Sequence, residues 1–298
     1  MQAQTEITPQ TITLWNLFKR FKKKISLTSF LVITESILDL LFPLFIGFSI
    51  NSLLEKSYSG VIALGGLGVM ALLIGSGRRF YDTRAYAKIY TILSKEMVER
   101  EHEKEKPASA TAAHASLLVE FVEFLENSLP AIVTSTIGLV GILGIILTLS
   151  RPIFWAAIGL FAFMSLVYLL SGKKNFYYNQ QYNDQFEKQS AILYEKKMSS
   201  IETHFQKMMH WNIKLSDLET LNYGVIWLGI IALLVYAPIV VINSGITNYG
   251  LVFSTLMYVF QYVESVVMLP LFIQQIIRLQ EISGRLSEKA TKNKNLGV

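Results

Sequence analysis

The feature that most constrains the fold is a long apolar run near the start of the chain that contains two acids. The run from Ile25 to Asn51 can span a bilayer as a helix, because each residue adds roughly 1.5 Å and the hydrocarbon core is about 30 Å thick. Glu35 and Asp39 lie four residues apart, so they share one helical face. Each carboxylate costs about 2.5 to 3.5 kcal/mol at membrane depth. We therefore expect this face to contact protein or a water-filled cavity.

The composition extends this character to the whole chain. Of the 298 residues, 52% are apolar and only 16% are charged, which lies outside the range of ordinary soluble proteins. Six apolar segments can be marked, at residues 25–50, 61–77, 129–149, 153–170, 224–242 and 249–277. The sequence therefore predicts an all-α integral membrane protein with six transmembrane helices, in contact with a lipid bilayer.

The distribution of positive charge predicts the topology. Apart from Lys56 and Arg151, every Lys and Arg lies before the first span, between spans two and three, between spans four and five, or after the sixth. The positive-inside rule then places both termini in the cytoplasm. This arrangement explains the net charge of +5 without a nucleic-acid partner, and none is expected. No histidine spacing suits a metal site, and we expect no cofactor.

The chain divides by composition into a polar N-terminus, a membrane region and a short tail. We expect residues 1–10 to be disordered, 11–24 to form an amphipathic elbow helix, 25–290 to form the transmembrane domain, and 291–298 to be a disordered tail. The two long inner connections look helical, so helices two to five should continue into the cytoplasm. We expect them to turn back near Pro107 and between His210 and Ser216.

Three stretches carry a resemblance to a known family. They are SILDLLFPLFIGFSINSLL at 36–54, LLVEFVEFLENSLP at 117–130, and the stretch from Gly250 to Leu286 with Tyr258, Pro270 and a terminal Gly-Arg pair. They resemble the first helix, the entry into the third helix and the sixth helix of the transmembrane domain of ABC exporters. The resemblance implies that fold, with long cytoplasmic extensions, a homodimer around a central cavity, and a bacterial inner membrane as its location.

Six residues would lie nearest such a cavity and are the candidates for substrate or proton translocation: Glu35, Asp39, Glu264, Tyr258, Gln261 and Tyr262. Burial disfavours the charged form of a carboxyl group, so an acid at membrane depth is able to bind and release a proton, or to pair with a cationic substrate. The structural alternative is that these acids bond to a neighbouring helix or lie near the headgroups.

A second set of charges suggests an inner gate. Glu120 and Glu123 follow helical spacing near the start of the third helix, and Arg78 and Arg79 lie just below the second. The ordinary alternative is a solvated helix face with positive-inside anchors.

The sequence contains no G-x-x-x-x-G-K-[ST] pattern and ends soon after the sixth span, so we expect no ATP hydrolysis and no enzymatic activity from this chain. Three functions remain open. The first is a homodimeric transporter driven by the proton gradient, as in some proteins with the exporter fold. The second is a permease subunit that uses a separately encoded ATPase, although the first coupling region, Glu103 to Ser116, is shorter than in the family. The third is a regulatory or scaffold membrane protein.

Overall fold

The computed structural model of the chain consists of long helices and describes residues 19–103, 108–245 and 248–292. Among these residues there is no strand. The helices are α1 (Lys22–Leu54), α2 (Ser59–Glu103), α3 (Ala108–Glu123), α4 (Leu129–Leu149), α5 (Arg151–Tyr194), α6 (Met198–Asn243) and α7 (Tyr249–Lys292). A π-helical turn, Phe124–Ser128, joins α3 to α4 without a loop.

Within the described ranges, six helical stretches are long and apolar enough to cross a membrane, and this confirms the all-α, six-span prediction. They are Lys22–Leu54, Ser59–Glu99, Ala115–Leu149, Arg151–Tyr194, Met198–Asn243 and Tyr249–Ile277. A helix suits these sequences because it bonds all interior backbone groups within one segment, and lipid offers them no other partner.

The helices extend well beyond their apolar segments, as predicted, but one predicted turn is wrong. The chain reverses at Glu195–Lys197, between α5 and α6, and the predicted turn between His210 and Ser216 lies inside α6. Lys196 adopts a left-handed conformation with a φ of 54°, which glycine adopts most readily. Because the residue here is a lysine, the sequence carries no signal for this turn. The other predicted turn, near Pro107, lies in a gap between the described ranges, where α2 has ended and α3 begins at Ala108.

The predicted terminal segments are described only in part. Residues 1–18 and 293–298 lie outside the described ranges, and with them the predicted disordered N-terminus and most of the elbow. Lys22 to Lys24 form the first turn of α1. Arg20, just before this helix, forms an ion pair with Glu96 of α2, which raises the pKa of its guanidinium above the usual value.

The chain forms two compact units, one of Met1–Gly144 with Thr247–Val298 and the other of Ile145–Ile246. We call them unit 1 and unit 2. Unit 1 contains α1, α2, α3, most of α4 and α7, and unit 2 contains α5 and α6. Both candidate sets of residues from the sequence analysis lie in unit 1.

Unit 1 has an apolar core where α2, α3, the π-helical turn and α7 meet. Its buried members are Tyr86, Ile89, Leu93, Met97, Leu118, Phe121, Val122, Phe124, Leu125 and Leu279. Burial of a large apolar side chain contributes about 1.5 to 3 kcal/mol in an aqueous setting. This core therefore stabilises the part of unit 1 that lies outside the apolar segments 61–77, 129–149 and 249–277.

Unit 2 is a helical hairpin. Asn222 on α6 donates a hydrogen bond to the hydroxyl of Ser171 on α5 over 3.0 Å, and both residues are buried. Gly229 lies against Leu160 and Phe163, where a Cβ atom would be 2.9 and 3.0 Å from their side chains. The missing side chain therefore allows α5 and α6 to approach closely.

Candidate functional site

A network of charged side chains links α1 to α2 within unit 1. The Arg78 guanidinium donates through Nε to the Glu35 carboxylate and through a terminal nitrogen to Asp82 Oδ2, over 3.1 Å. The hydroxyl of Thr28 donates to the other Asp82 oxygen over 2.7 Å. The Asp82 side chain is 4% exposed and that of Arg78 is 16% exposed. One cation therefore serves two carboxylates, and the group retains a net negative charge.

Gly75 makes room for this network. A Cβ atom built at Gly75 would lie 2.9 Å from an oxygen of the Glu35 carboxylate. The Glu35 side chain therefore runs across the surface of α2 at this glycine to reach Arg78 one turn further along. Glu35, which the sequence analysis placed at membrane depth, is therefore paired with Arg78. Gly75 permits this contact because it has no side chain in the path of the Glu35 carboxylate.

The smaller of two polar cavities lies between α1, α4 and α7 and has a volume of about 310 Å³. Asp39 lines it from α1, and Gln261 and Glu264 line it from α7. The amide oxygen of Gln261 is buried without a hydrogen-bond partner in the described part of the chain. The structure thus brings together three of the six residues that the sequence proposed for translocation, two of them acids.

The larger polar cavity lies between α2, the π-helical turn and α4 and has a volume of about 620 Å³. Its lining residues are Arg78, Arg79, Asp82, Thr83, Glu126, Asn127, Pro130, Ala131, Thr134 and Ser135. Both arginines proposed for an inner gate lie here. They meet Asp82 and Glu126 in this cavity, while the two acids named with them, Glu120 and Glu123, are not among its lining residues.

The two cavities share part of their walls. Thr134 and Ser135 on α4 line both of them. Ser36 on α1 donates a hydrogen bond to the Thr134 hydroxyl over 3.0 Å, so this polar wall is fixed to α1. Hydroxyl groups both donate and accept hydrogen bonds. A polar surface therefore connects the surroundings of Arg78 with those of Asp39.

The contact between α1 and α7 near Asn51 is close and made largely of backbone, and we call it the α1–α7 seam. A Cβ atom at Gly250 would overlap the carbonyl oxygen of Gly47, so only glycines allow this crossing. The side-chain oxygen of Asn51 accepts from the backbone N–H of Gly250 over 2.9 Å. Ser254 donates to the Pro43 carbonyl over 2.7 Å.

Tyr258 belongs to the α1–α7 seam. Its side chain is fully buried, and its hydroxyl donates to the Leu40 carbonyl over 2.6 Å. Leu40 lies one turn before Pro43, so this hydrogen bond joins α7 to the turn of α1 that precedes the proline. Tyr258 was proposed for translocation, and the structure places it in a packing contact that holds α7 against α1.

The other proposed residues line neither of the two polar cavities. Tyr262 is fully buried, and it lines neither polar cavity. Glu123 is exposed and lines a third cavity of about 190 Å³, which shares Thr83 and Glu126 with the larger polar cavity. Glu120 is half-buried on α3. In the described part of the chain, no group of three or more His, Asp or Glu side chains is arranged to hold a metal ion.

Sequence reasoning missed several residues of the site. Asp82 had a signal, since it follows Arg78 by four residues and therefore lies on the same helical face. Thr134 and Ser135 had none, because hydroxyl residues are common in membrane helices. Glu126 follows Glu123 by three residues, which is a helical spacing, but the π-helical turn that contains it was not predicted. Turns of this kind often mark functional positions.

Comparison with known protein families connects this geometry to a function. A family model described as the ABC transporter transmembrane region matches residues 14–250, which is most of the chain. The chain belongs to this family. The resemblance noted in the sequence analysis is confirmed. The chain is a multi-pass membrane protein, with six candidate spans among the described residues. No curated protein matches it significantly.

The family match covers part of the candidate site and ends before the rest of it. It runs from before α1 to the start of α7, so it includes Glu35, Asp39, Arg78 and the whole larger cavity. Gln261 and Glu264 lie beyond the matched residues, on the part of α7 that completes the smaller cavity. Family membership supports a role as a transporter membrane subunit.

Proposed function

We propose that this transmembrane region is a homodimeric transporter that works by alternating access and couples transport to proton binding at its membrane carboxylates. The observation that carries the proposal is an excess of acids around the two connected cavities. Glu35, Asp39, Asp82, Glu126 and Glu264 supply five carboxylates, whereas Arg78 and Arg79 supply two guanidinium groups. Carboxylates at membrane depth are costly, and their usual roles are in proton or cation pathways.

Asp39 and Glu264 are the carriers that this geometry favours. They line the same cavity, neither forms an ion pair with a residue that the structure describes, and no basic side chain lines that cavity. Glu35 is already paired with Arg78. A proton bound at Asp39 or Glu264 would remove a charge that is otherwise uncompensated, so protonation would favour closure of the cavity around its contents.

The exposure of the site and the family match both support a homodimer. Asp39 and Glu264 are both exposed in the single chain, so the smaller cavity needs a further wall. A second copy related by twofold symmetry would provide that wall and would double the set of acids. In this proposal both termini face the cytoplasm of a bacterial cell, as the positive-inside rule predicts.

Proton-driven transport can be tested in liposomes that contain the purified protein and a pH-sensitive dye. With an imposed proton gradient, we expect the wild-type protein to move protons when a mixture of candidate substrates is supplied. Asp39→Asn and Glu264→Gln should each reduce this flux at least tenfold, because an amide cannot bind the proton. Glu99→Gln is the matched control, since Glu99 is exposed on α2 and pairs with Lys95 one turn away.

The oligomer is checked in the same preparations by light scattering in detergent. Wild-type and variant proteins should all have the mass of two copies. Normal flux in both Asp39→Asn and Glu264→Gln, with the dimer intact, would refute proton coupling at these residues. A protein that binds no substrate and moves no protons under any gradient would fit a regulatory or scaffold role instead.

A second candidate function is a permease subunit driven by a separately encoded ATPase, and the family match favours it because ABC transporters use ATP. An ATPase would bind where the helices turn back. The turn at Glu195–Lys197 is one such surface, and it replaces the predicted turn between His210 and Ser216, which is interior to α6.

Purification from the native host in a mild detergent, followed by mass spectrometry, separates the two functions. A stoichiometric ATPase subunit would favour the second candidate. Its loss after charge reversal of both Lys196 and Lys197 would place the contact at this turn. Recovery of the chain without an ATPase would favour proton coupling.

A further inference from the structure

The larger cavity differs from the smaller one in its charge. Its four charged residues are Arg78, Arg79, Asp82 and Glu126, so its lining is electrically balanced. The smaller cavity has Asp39 and Glu264 and no cation in its lining. A cavity with only acids suits a proton or a cation. A balanced cavity of about 620 Å³ is within the size range of small-molecule sites and requires a different kind of ligand.

Two of these four charges are already satisfied within the protein. Arg78 binds both Glu35 and Asp82, and Asp82 accepts a further hydrogen bond from Thr28. Arg79 and Glu126 have no such partner: neither forms an ion pair with a residue that the structure describes, and they are not paired with each other. One cation and one carboxylate are therefore available to a ligand.

Arg79 and Glu126 line the same cavity and come from different elements. Arg79 is on α2, directly after Arg78 of the charged network, and Glu126 is in the π-helical turn. Asn127, Thr83, Thr134 and Ser135 add neutral hydrogen-bonding groups to the walls between them. The cavity lining therefore combines a positive group, a negative group and neutral polar groups, and the two charged groups form no ion pair with each other.

We propose that the larger cavity binds a small zwitterion, a molecule with an ammonium group and an oxyanion. Arg79 would bind the carboxylate or phosphate, because a guanidinium donates a fork of hydrogen bonds to either. Glu126 would accept hydrogen bonds from the ammonium group. A ligand with a single charge would leave one of these two residues uncompensated in the closed state.

The shared wall at Thr134 and Ser135 sets this site beside the smaller cavity. The fate of the ligand rests on the proposed transport function. In that function the zwitterion is the transported substrate, and Asp39 and Glu264 carry the coupled proton. Binding itself requires only the cavity. The same chemistry has two sources, a water-soluble amino-acid-like compound and the headgroup of an ethanolamine phospholipid.

The test measures binding to the purified full chain in a non-ionic detergent by isothermal titration calorimetry. The soluble probes are 6-aminohexanoate, hexylamine and hexanoate, which share a carbon chain and differ in their charged ends. We expect 6-aminohexanoate to bind about tenfold or more tightly than either of the others, because each charged end adds a charge-assisted hydrogen bond. The lipid probes are lysophosphatidylethanolamine and lysophosphatidylglycerol.

Variants connect binding to the two residues. Arg79→Gln and Glu126→Gln should each weaken binding of the zwitterion about tenfold and abolish its advantage over the singly charged probes. The double variant Arg79→Glu with Glu126→Arg should restore binding, since it exchanges the charges and keeps both. Arg84→Gln and Glu99→Gln are the controls: Arg84 stacks on Phe80 and Glu99 pairs with Lys95, away from the cavity. Gel filtration confirms that each variant is folded.

Each outcome decides the question. Preference for 6-aminohexanoate supports a soluble zwitterion, and preference for the ethanolamine lysolipid alone supports a lipid headgroup. Three results would overturn the inference: equal binding of the zwitterionic and singly charged probes, no binding of either zwitterion, or binding that the Arg79 and Glu126 variants leave unchanged. Zwitterion binding with no proton-coupled flux would retain this inference and reject the proposed function.

Discussion

The two ends of α1 are held by different chemistry. Near Asn51, α1 crosses α7 at the α1–α7 seam, where Gly47 and Gly250 bring the two backbones together. Toward Lys22, α1 meets α2 through the network of Glu35 and Arg78, and polar cavities adjoin this contact. The first contact is dense, because two backbones cross at glycines and side-chain hydrogen bonds join them. The second consists of long charged side chains beside open space.

The difference shows how one membrane helix can be both fixed and functional. Lipid tails are as apolar as leucine, so helices in a bilayer associate through close packing and hydrogen bonds. The α1–α7 seam uses both and leaves no room for a ligand. The charged end has ion pairs that a proton or ligand can perturb. We therefore expect substitutions in the α1–α7 seam to alter stability alone. Substitutions around the cavities should alter binding and transport, and should also reduce stability where they break the buried ion pair of Arg78 and Asp82.

The largest effect on stability should come from the charged end, with Arg78→Gln. This change leaves Asp82, whose side chain is 4% exposed, without its cation, and removing one partner of a buried ion pair costs roughly 3 to 5 kcal/mol. Thermal unfolding in detergent measures the loss. The second change Asp82→Asn, added to Arg78→Gln, should restore much of it by removing the buried charge. If Arg78→Gln unfolds no earlier than Arg84→Gln, the network does not hold α1 to α2.

The next effect should come from the α1–α7 seam, with Gly250→Ala. Its Cβ would overlap the Gly47 carbonyl oxygen, and backbone cannot move aside as a flexible side chain can. Overpacking of this kind costs about 1 to 3 kcal/mol. Gly66→Ala is the matched control, since a Cβ there has no neighbour within 4 Å in this chain. Equal unfolding temperatures for the two variants would contradict the close crossing.

The smallest effect should come from Tyr258→Phe, which keeps the ring and removes only the hydrogen bond to the Leu40 carbonyl. A hydrogen bond of this kind contributes about 0.5 to 1.5 kcal/mol. Tyr249→Phe is the control, because Tyr249 is 71% exposed. We expect Tyr258→Phe to unfold slightly earlier and to retain proton flux. Loss of flux with unchanged stability would instead assign Tyr258 to translocation.

Much of the fold could be predicted because membrane helices follow from composition. The six apolar segments all lie within helices, and the segment 129–149 has the bounds of α4. The helical extensions followed from the absence of glycine and proline over long stretches. The turn at Glu195–Lys197 could not be predicted, because a lysine adopts the left-handed conformation there and gives no signal.

The sequence predicted the acidic residues of the candidate site but not the residues that they contact. Sequence alone determined that Glu35 and Asp39 share a face and need polar surroundings, since the helical period and the cost of charge in lipid require it. Only the tertiary structure decided that Glu35 pairs with Arg78, that Asp39 meets Glu264 across a cavity, and that Tyr258 belongs to the α1–α7 seam. The physical reason is that a helix fixes which residues share a face, whereas the neighbour of that face depends on how separate helices pack.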